Sequence, residues 1–194
     1  MGLLLAALGW AVIFPFVLFV QWDLIELITI FLMIFVLLGM YGGFSVFVLL
    51  SFGYTIWGLF KYRHWTICLP FLLNVATLLI IFNVPFNEIT IDRDFSDNRA
   101  ARERVVSDIA SGALQPNIPY NYPRGIHLPN SYGRLSKGGN DVIIERPEGV
   151  LQVRFYTFRG IGGFSGFIYR ADGKPPTDET VGPKIVEIER YDDH

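Results

Sequence analysis

One set of residues in this 194-residue chain could in principle form a catalytic site. Ser131, His127 and Asp141 would supply the nucleophile, base and orienting acid of a hydrolase triad. Their spacing in the sequence does not favour that arrangement. A membrane-tethered enzyme or small-ligand receptor that uses the Tyr120–Asp141 region is therefore the alternative hypothesis. Its marker is a pocket that gathers His127, Tyr132 and Asp141 within hydrogen-bonding reach.

The glycine-rich run between Gly160 and Gly166 matches neither of two common catalytic loops. Ser165 occupies the place of the third glycine in the dinucleotide-binding fingerprint, and the residues that follow are typical of a strand instead of a helix. Phe167 occupies the last glycine position of a nucleophile elbow. A bulged or bent hairpin connection is the simpler interpretation.

The residues that commonly bind metals do not form a recognisable ligand set. His127 is the one histidine within the body of the C-terminal half, whereas a transition-metal site usually needs three or four convergent ligands. Asp92, Asp94 and Asp97 lack the glycine and the terminal glutamate of a calcium loop, and we interpret them as helix-capping residues. We therefore expect no metal, no cofactor and no catalytic residue.

An aromatic and basic patch surrounds a proline-rich segment of the C-terminal half. Tyrosine and arginine are enriched in the cores of protein interfaces, so this patch is the best candidate for an interaction surface. The alternative is an ordered loop whose tyrosine rings cover the edge of a sheet. The patch comprises Tyr120, Tyr122, Arg124, Tyr132 and Arg134.

The elements that must position these residues follow from an uneven distribution of charge. The chain is 52% hydrophobic and 18% charged, and residues 1–86 contain only two acidic and two basic residues. The formal net charge of −2 excludes a strongly basic nucleic-acid binder, and the single cysteine excludes a disulfide-stapled scaffold. We predict an integral membrane protein, with a transmembrane domain over residues 1–86 and a soluble domain over residues 87–194.

Three stretches of the first domain lack charge and are long enough to cross a bilayer, namely residues 1–22, 27–60 and 64–87. A single helix over the middle stretch would be about 51 Å long, compared with ~30 Å of hydrocarbon. The run Gly39–Gly43 therefore predicts a turn, and with it two helical hairpins. The four predicted transmembrane helices lie near residues 3–20, 23–40, 43–60 and 66–84. Three helices, with a kinked or re-entrant middle stretch, are the alternative.

The few charges of the first domain predict its orientation. Lys61 and Arg63 form the only basic cluster of the short loops, so the turn around them should face the cytoplasm and the C-terminal domain should lie outside. We expect a bacterial inner membrane, with the lipid bilayer as one partner. Trp22 and Trp65 would then share one interface, with Asp23 near Lys61.

The uncharged interior of the predicted helices argues against an ion-coupled transporter. Gly39 and Gly43 have the spacing that allows two helices to approach closely, although we favour the turn for this run. Asn74 is a candidate for a hydrogen bond between helices. A channel formed by oligomerised helices would need a polar pore lining, and only scattered serine, threonine and asparagine residues are available for one.

The C-terminal domain is predicted to be α+β, with one helix packed on an antiparallel sheet. An amphipathic helix is predicted over residues 98–113. The proline-rich stretch that follows should be extended or looped. Strands are predicted over residues 141–146, 150–158 and 164–170, with a weaker one over residues 184–191.

Together these patterns predict a non-enzymatic integral membrane protein whose extracytoplasmic α+β domain mediates protein–protein contact. An accessory or assembly subunit of a membrane complex fits this description, as does an immunity-type protector. We expect a protein partner or a homo-oligomer, and no nucleic acid.

Overall fold

The computed structural model describes residues 2–118, 124–160, 163–177 and 185–191. The chain divides into two compact units, Met1–Asp92 and Arg93–His194.

Long apolar helices form the first unit. Helix α1 covers Gly2–Ile28, α2 covers Ile30–Tyr62, and α3 covers Leu69–Asn83 after a short 3₁₀ turn at Trp65–Cys68. The three helical stretches Gly2–Ile28, Ile30–Tyr62 and Trp65–Asn83 are long and apolar enough to span a membrane. The chain therefore has the apolar helices that its N-terminal composition predicts.

The turn predicted at Gly39–Gly43 is wrong, because α2 continues through these residues as helix. A glycine within a helix costs only about 1 kcal/mol relative to alanine, less than the unpaired backbone groups of a turn would cost in an apolar environment. The first two helices meet instead at Thr29, which has a φ of 71°. Beyond it the chain folds back, since the Phe14 ring lies 4.8 Å from the ring of Tyr41.

Trp22 and Trp65 lie at opposite ends of α3, not at one interface as predicted. Nε1 of Trp22 donates a hydrogen bond to Oδ1 of Asn87 at 3.1 Å, just beyond the C-terminal end of α3. Trp65 lies just before the N-terminal end of the same helix. Because α1 continues through residues 20–24 without a turn, it carries Asp23 to the end of the unit remote from Lys61.

Helix α4 covers Phe86–Ala110 and begins directly after Pro85, well before the predicted start at Asn98. Proline favours the beginning of a helix, and the amide of Ile89 already donates to the carbonyl of Pro85 at 3.1 Å. The capping interpretation of Asp92, Asp94 and Asp97 is therefore wrong, because all three lie inside the helix.

The second unit contains a four-stranded antiparallel sheet in the order β1-β2-β3-β4. Strand β1 covers Gly125–His127, β2 Asp141–Glu145, β3 Gln152–Gly160 and β4 Gly163–Arg170. The antiparallel sheet is confirmed, and a bulge interrupts the β3–β4 register between Tyr156 and Phe158.

The weak strand predicted over residues 184–191 is wrong for its described part, because residues 185–191 have no regular secondary structure. Lys184 lies outside the described residues. Tyr191 packs its ring 5.0 Å from Phe95 and 5.5 Å from Phe167, so this segment is held by side-chain contacts in place of a strand ladder.

Apolar residues of α4 and of the sheet form the core of the second unit. Helical spacing places Val105, Val106 and Ile109 on one side of α4. Their partners on the sheet are Ile126, Val142, Ile144, Val153 and Phe155, which share one face according to the strand register.

Candidate functional site

The sheet of the second unit has two chemically different faces. The face that packs against α4 is apolar. Alternation along each strand places the remaining side chains on the opposite face, and the register aligns them in rows. We call this set the charged sheet face. It comprises His127, Asp141, Ile143, Glu145, Gln152, Arg154, Tyr156, Ile168 and Arg170.

A continuous hydrogen-bonded network crosses one end of this face. Arg154 donates to Oε2 of Glu145 at 3.1 Å, and Gln152 donates to the same oxygen at 2.9 Å. Arg170 donates to Oε1 of Gln152 at 3.3 Å and makes two bonds of 3.0 Å to the carboxylate of Asp172. The side chains of Arg154 and Arg170 are only 6% and 7% exposed. We therefore assign these two arginines a structural role, since a buried charge is tolerated only when it is paired.

The bond between Arg170 and Asp172 shifts the pKa values of both groups. Hydrogen bonding from Arg170 lowers the pKa of the Asp172 carboxyl to about 2. The same bond raises the pKa of the Arg170 guanidinium above its ordinary value. The Asp172 carboxylate therefore stays ionised at a lower pH than an unpaired aspartate would.

Cations and aromatic rings alternate beside this network. The guanidinium of Arg154 lies 4.5 Å from the ring centroid of Phe164, and Phe164 meets Tyr156 edge to face at 5.4 Å. The guanidinium of Arg159 lies 5.2 Å from the Tyr156 ring. Such contacts restrict the rotation of these side chains between the network and the far end of the face.

The other end of the face is open to solvent at His127. Nδ1 of His127 lies 2.9 Å from Oδ1 of Asp141, and Nη1 of Arg159 lies 4.0 Å from the other oxygen of this carboxylate. The His127 side chain is 61% exposed. Asn117 fixes the edge of β1, because its side-chain amide makes two hydrogen bonds with the backbone of His127. An exposed imidazole is thus held on a rigid strand with its orientation set by a carboxylate.

The structure brings together two of the three residues that define the enzyme hypothesis. His127 and Asp141 meet, but the Tyr132 hydroxyl donates to Oδ2 of Asp108 in α4 at 2.7 Å. That bond raises the pKa of Tyr132. Among the described hydrogen bonds, none joins Ser131 to His127, so the nucleophile and base of a triad are not linked in this structure.

The aromatic and basic patch is described only in part. Tyr120 and Tyr122 lie outside the described residues. Arg124, which directly precedes β1, and Arg134 are exposed. Tyr132 is half-buried and packs against the core shared by α4 and the sheet. Arg124 is therefore the residue of this patch that directly precedes β1, where its carbonyl accepts a hydrogen bond from the amide of Ile144 at 2.9 Å.

A second polar cluster lies inside the first unit. Nδ2 of Asn74 in α3 donates to Oγ of Ser51 in α2 at 2.9 Å, and both residues are fully buried. Ser51 donates in turn to the carbonyl of Val48, and Thr77 donates to the carbonyl of Leu73. These groups lie at helix contacts within one chain, which does not suit the lining of a pore between chains.

The two glycines of the G-xxx-G spacing have different surroundings. A Cβ atom built on Gly43 would lie 3.5 Å from the Trp10 ring of α1, so α1 approaches α2 closely at this position. A Cβ built on Gly39 would have no neighbour within 4 Å. In the described structure only Gly43 of the pair lies at a helix contact.

The chain matches no family model, no curated protein and no solved structure, so no relative contributes to the functional inference.

The charged sheet face is the feature that sequence reasoning missed, although a signal for it exists. Polar Gln152 and Arg154 alternate with apolar Val153 and Phe155 in β3. That alternation predicts a strand with one polar face. The partners of the two polar side chains come from other strands and become visible only with the register.

Proposed function

We propose that the protein is a non-enzymatic integral membrane protein that crosses a bacterial inner membrane three times. The positive-inside rule assigns the end that carries Lys61 and Arg63 to the cytoplasm. With three crossings, α1 begins on the cytoplasmic side and the domain after α3 lies outside. The number of crossings thus alters the side of residues 20–24 but not that of the C-terminal domain.

The lengths of the helices are compatible with three crossings. The stretch Trp65–Asn83 has 19 residues, or about 28 Å as helix, close to the ~30 Å hydrocarbon layer. Helix α2 has 33 residues, or about 50 Å. A tilt of roughly 25° would let it extend over the ~45 Å that includes both headgroup regions, and tilts of this size are common.

The C-terminal domain, in this proposal, mediates protein–protein contact as an accessory or assembly subunit or as an immunity-type protector. The observation that supports it is the open end of the charged sheet face, where His127, Asp141 and Arg159 present both signs of charge on three neighbouring strands. Exposed Arg124 directly precedes β1, the strand that carries His127. Fixed charges of both signs contribute more to the specificity of an interaction than to its affinity.

Purification from membranes in mild detergent tests this proposal. We expect a partner chain, or a second copy of this chain, to co-purify with the wild-type protein and to be lost when Arg124→Glu is combined with His127→Ala. Lys174→Glu, which reverses an exposed charge elsewhere in the same unit, is the control and should retain the partner. A photo-crosslinker at position 124 should capture that partner, whereas one at position 174 should not. A wild-type protein that purifies as a lone monomer would contradict the proposal.

A further inference from the structure

Lys61 and Arg63 lie among exposed aromatic rings at the end of the first unit that we assign to the cytoplasm. The side-chain nitrogen of Lys61 lies 4.6 Å from the centroid of the Trp57 ring and 5.2 Å from that of Tyr62. Trp57 and Tyr62 meet edge to face at 5.7 Å. We call the set of Trp57, Lys61, Tyr62, Arg63 and Trp65 the basic aromatic collar.

The two cations of the collar lack a neutralising carboxylate. Neither Lys61 nor Arg63 forms an ion pair with any residue in the described part of the chain, and both are exposed. The acidic residues of the first unit cannot supply one, because α1 carries Asp23 and Glu26 to the opposite end of α3. The partial negative charge at the C-terminal end of α2 favours a cation at Lys61 but does not cancel its charge.

The aromatic members of the collar retain hydrogen-bond donors for a ligand. Trp57, Tyr62 and Trp65 are 52%, 50% and 71% exposed. Within the described residues, no hydrogen bond is made by their indole N–H or phenol O–H groups. Indole and phenol rings favour the depth at which lipid headgroups lie, with the ring in the apolar layer and the polar atom toward water.

We propose that the basic aromatic collar binds the phosphate-bearing headgroup of an anionic phospholipid. Lys61 and Arg63 attract the phosphate, and the donors of the three rings bond to headgroup oxygens. Arginine suits this role because its guanidinium can donate two parallel hydrogen bonds to one phosphate. The inference rests on the membrane insertion proposed above, but it does not depend on the partner of the C-terminal domain.

Native mass spectrometry of the full-length protein tests the proposal. The protein is released from micelles that contain equal amounts of phosphatidylglycerol and phosphatidylcholine with the same acyl chains. We expect a preference for phosphatidylglycerol of roughly fivefold per cation, or roughly thirtyfold for the pair. Lys61→Gln with Arg63→Gln should abolish the preference. Lys61→Arg with Arg63→Lys should keep it, which separates loss of charge from loss of folding.

Arg146→Gln with Lys174→Gln is the matched control, since it removes two exposed cations from the second unit and should leave the preference unchanged. Equal retention of the two lipids by the wild-type protein, or a preference that survives the double glutamine substitution, would overturn the proposal. Displacement of phosphatidylglycerol by inorganic phosphate at the concentration of the lipid would also overturn the proposal, because the collar would then be a site for the free anion. A failed partner-capture experiment would leave each of these readouts unaffected.

Discussion

The two units of the chain bury polar groups in different ways. In the first unit, the buried hydroxyls of Ser51 and Thr77 donate to backbone carbonyls of their own helix, and the Asn74–Ser51 bond links two helices. In the second unit, buried arginines pair with carboxylates across strands or along α4. The difference agrees with the membrane location proposed for the first unit, since an ion pair is too costly to place in hydrocarbon whereas an amide bonded to a hydroxyl is tolerated.

This contrast leads to predictions that can be measured separately in each unit of one full-length protein. All four tryptophans lie between residues 10 and 65, so tryptophan fluorescence reports on the first unit. Hydrogen exchange of the β3 and β4 amides reports on the second unit.

The largest effect is expected from Gly166→Ala in the second unit. A Cβ atom at this position would overlap the backbone carbonyl of Phe155, which cannot move without disturbing the β3–β4 ladder. We expect the free energy of unfolding of the second unit to fall by about 3 kcal/mol, as measured by hydrogen exchange of the two strands. Gly163→Ala is the control, because a Cβ there has no neighbour within 4 Å, and it should cost less than about 1 kcal/mol. Equal effects of the two substitutions would contradict the close approach at Gly166.

Asp94→Ala should have the next largest effect. Its carboxylate accepts a 2.6 Å bond from Arg102, whose side chain is only 7% exposed. Removing this carboxylate leaves a buried cation that still donates to the carbonyl of Leu135. We therefore expect the free energy of unfolding of the second unit to fall by about 2 to 3 kcal/mol. Urea unfolding monitored by hydrogen exchange measures this change.

Asp97→Ala is the matched control for this prediction, because it removes a carboxylate from the same helix. The Arg93–Asp97 pair is 66% and 64% exposed, so its loss should cost less than about 1 kcal/mol. If Asp94→Ala lowered the free energy of unfolding no more than its control, the buried ion pair would not contribute to the stability of the second unit.

Gly58→Ala tests packing in the first unit. A Cβ at position 58 would lie 2.5 Å from Cγ2 of Ile67, so the contact between α2 and the turn before α3 must open. We expect the free energy of unfolding of the first unit, measured in detergent by tryptophan fluorescence, to fall by about 1 to 2 kcal/mol. Gly53→Ala, whose Cβ would meet nothing within 4 Å, should be neutral or slightly stabilising. A destabilising Gly53→Ala would mean that α2 has contacts beyond those described.

The Asn74–Ser51 bond should be worth less than the ion pairs of the second unit. A double-mutant cycle with Asn74→Ala and Ser51→Ala should give a coupling of about 0.6 kcal/mol, measured by the same fluorescence assay. Asn83→Ala is a control from the same helix, because Asn83 bonds only to the carbonyl of Leu79 one turn away. A coupling of about 3 kcal/mol would remove the energetic contrast between the units.

A pH-dependent effect is expected from Asp172 in the second unit. Because its pKa is about 2 in the fold and 3.8 is the ordinary value, the ionised carboxylate stabilises the second unit above pH 4. That stabilisation should disappear as the pH falls from about 4 to about 2. Asp172→Asn should therefore lower the urea midpoint at pH 6 and flatten the decline of the midpoint in this acidic range. An unchanged acid profile would show that the Arg170–Asp172 bond does not form in solution.

Local sequence patterns predicted the sheet more accurately than the ends of the helices. The strand predicted over residues 164–170 agrees with β4 within one residue, because β-branched and aromatic residues are bounded there by turn residues. The turn at Gly39–Gly43 and the helix start at Asn98 failed, since the glycines are tolerated within α2 and Pro85 starts α4 earlier. Bilayer thickness limits the length of a crossing but does not require a break.

The candidate site was only partly predictable for a different reason. His127 and Asp141 stood out as polar residues, but their contact depends on the register of β1 against β2 across a separation of 14 residues. Tyr132 had the same apparent promise, yet it contacts α4 instead. Which polar residues meet is decided by strand pairing and by the packing of α4, and neither is encoded in a short motif.

Cysteine labelling tests the proposed membrane arrangement most directly. In a Cys68→Ser background, Asp23→Cys, Arg63→Cys and Lys174→Cys would each be treated with a membrane-impermeant maleimide on intact spheroplasts. Three crossings predict that positions 23 and 174 react from outside, and that position 63 reacts only after permeabilisation. Labelling of position 23 only after permeabilisation, as a four-helix arrangement requires, would contradict the account.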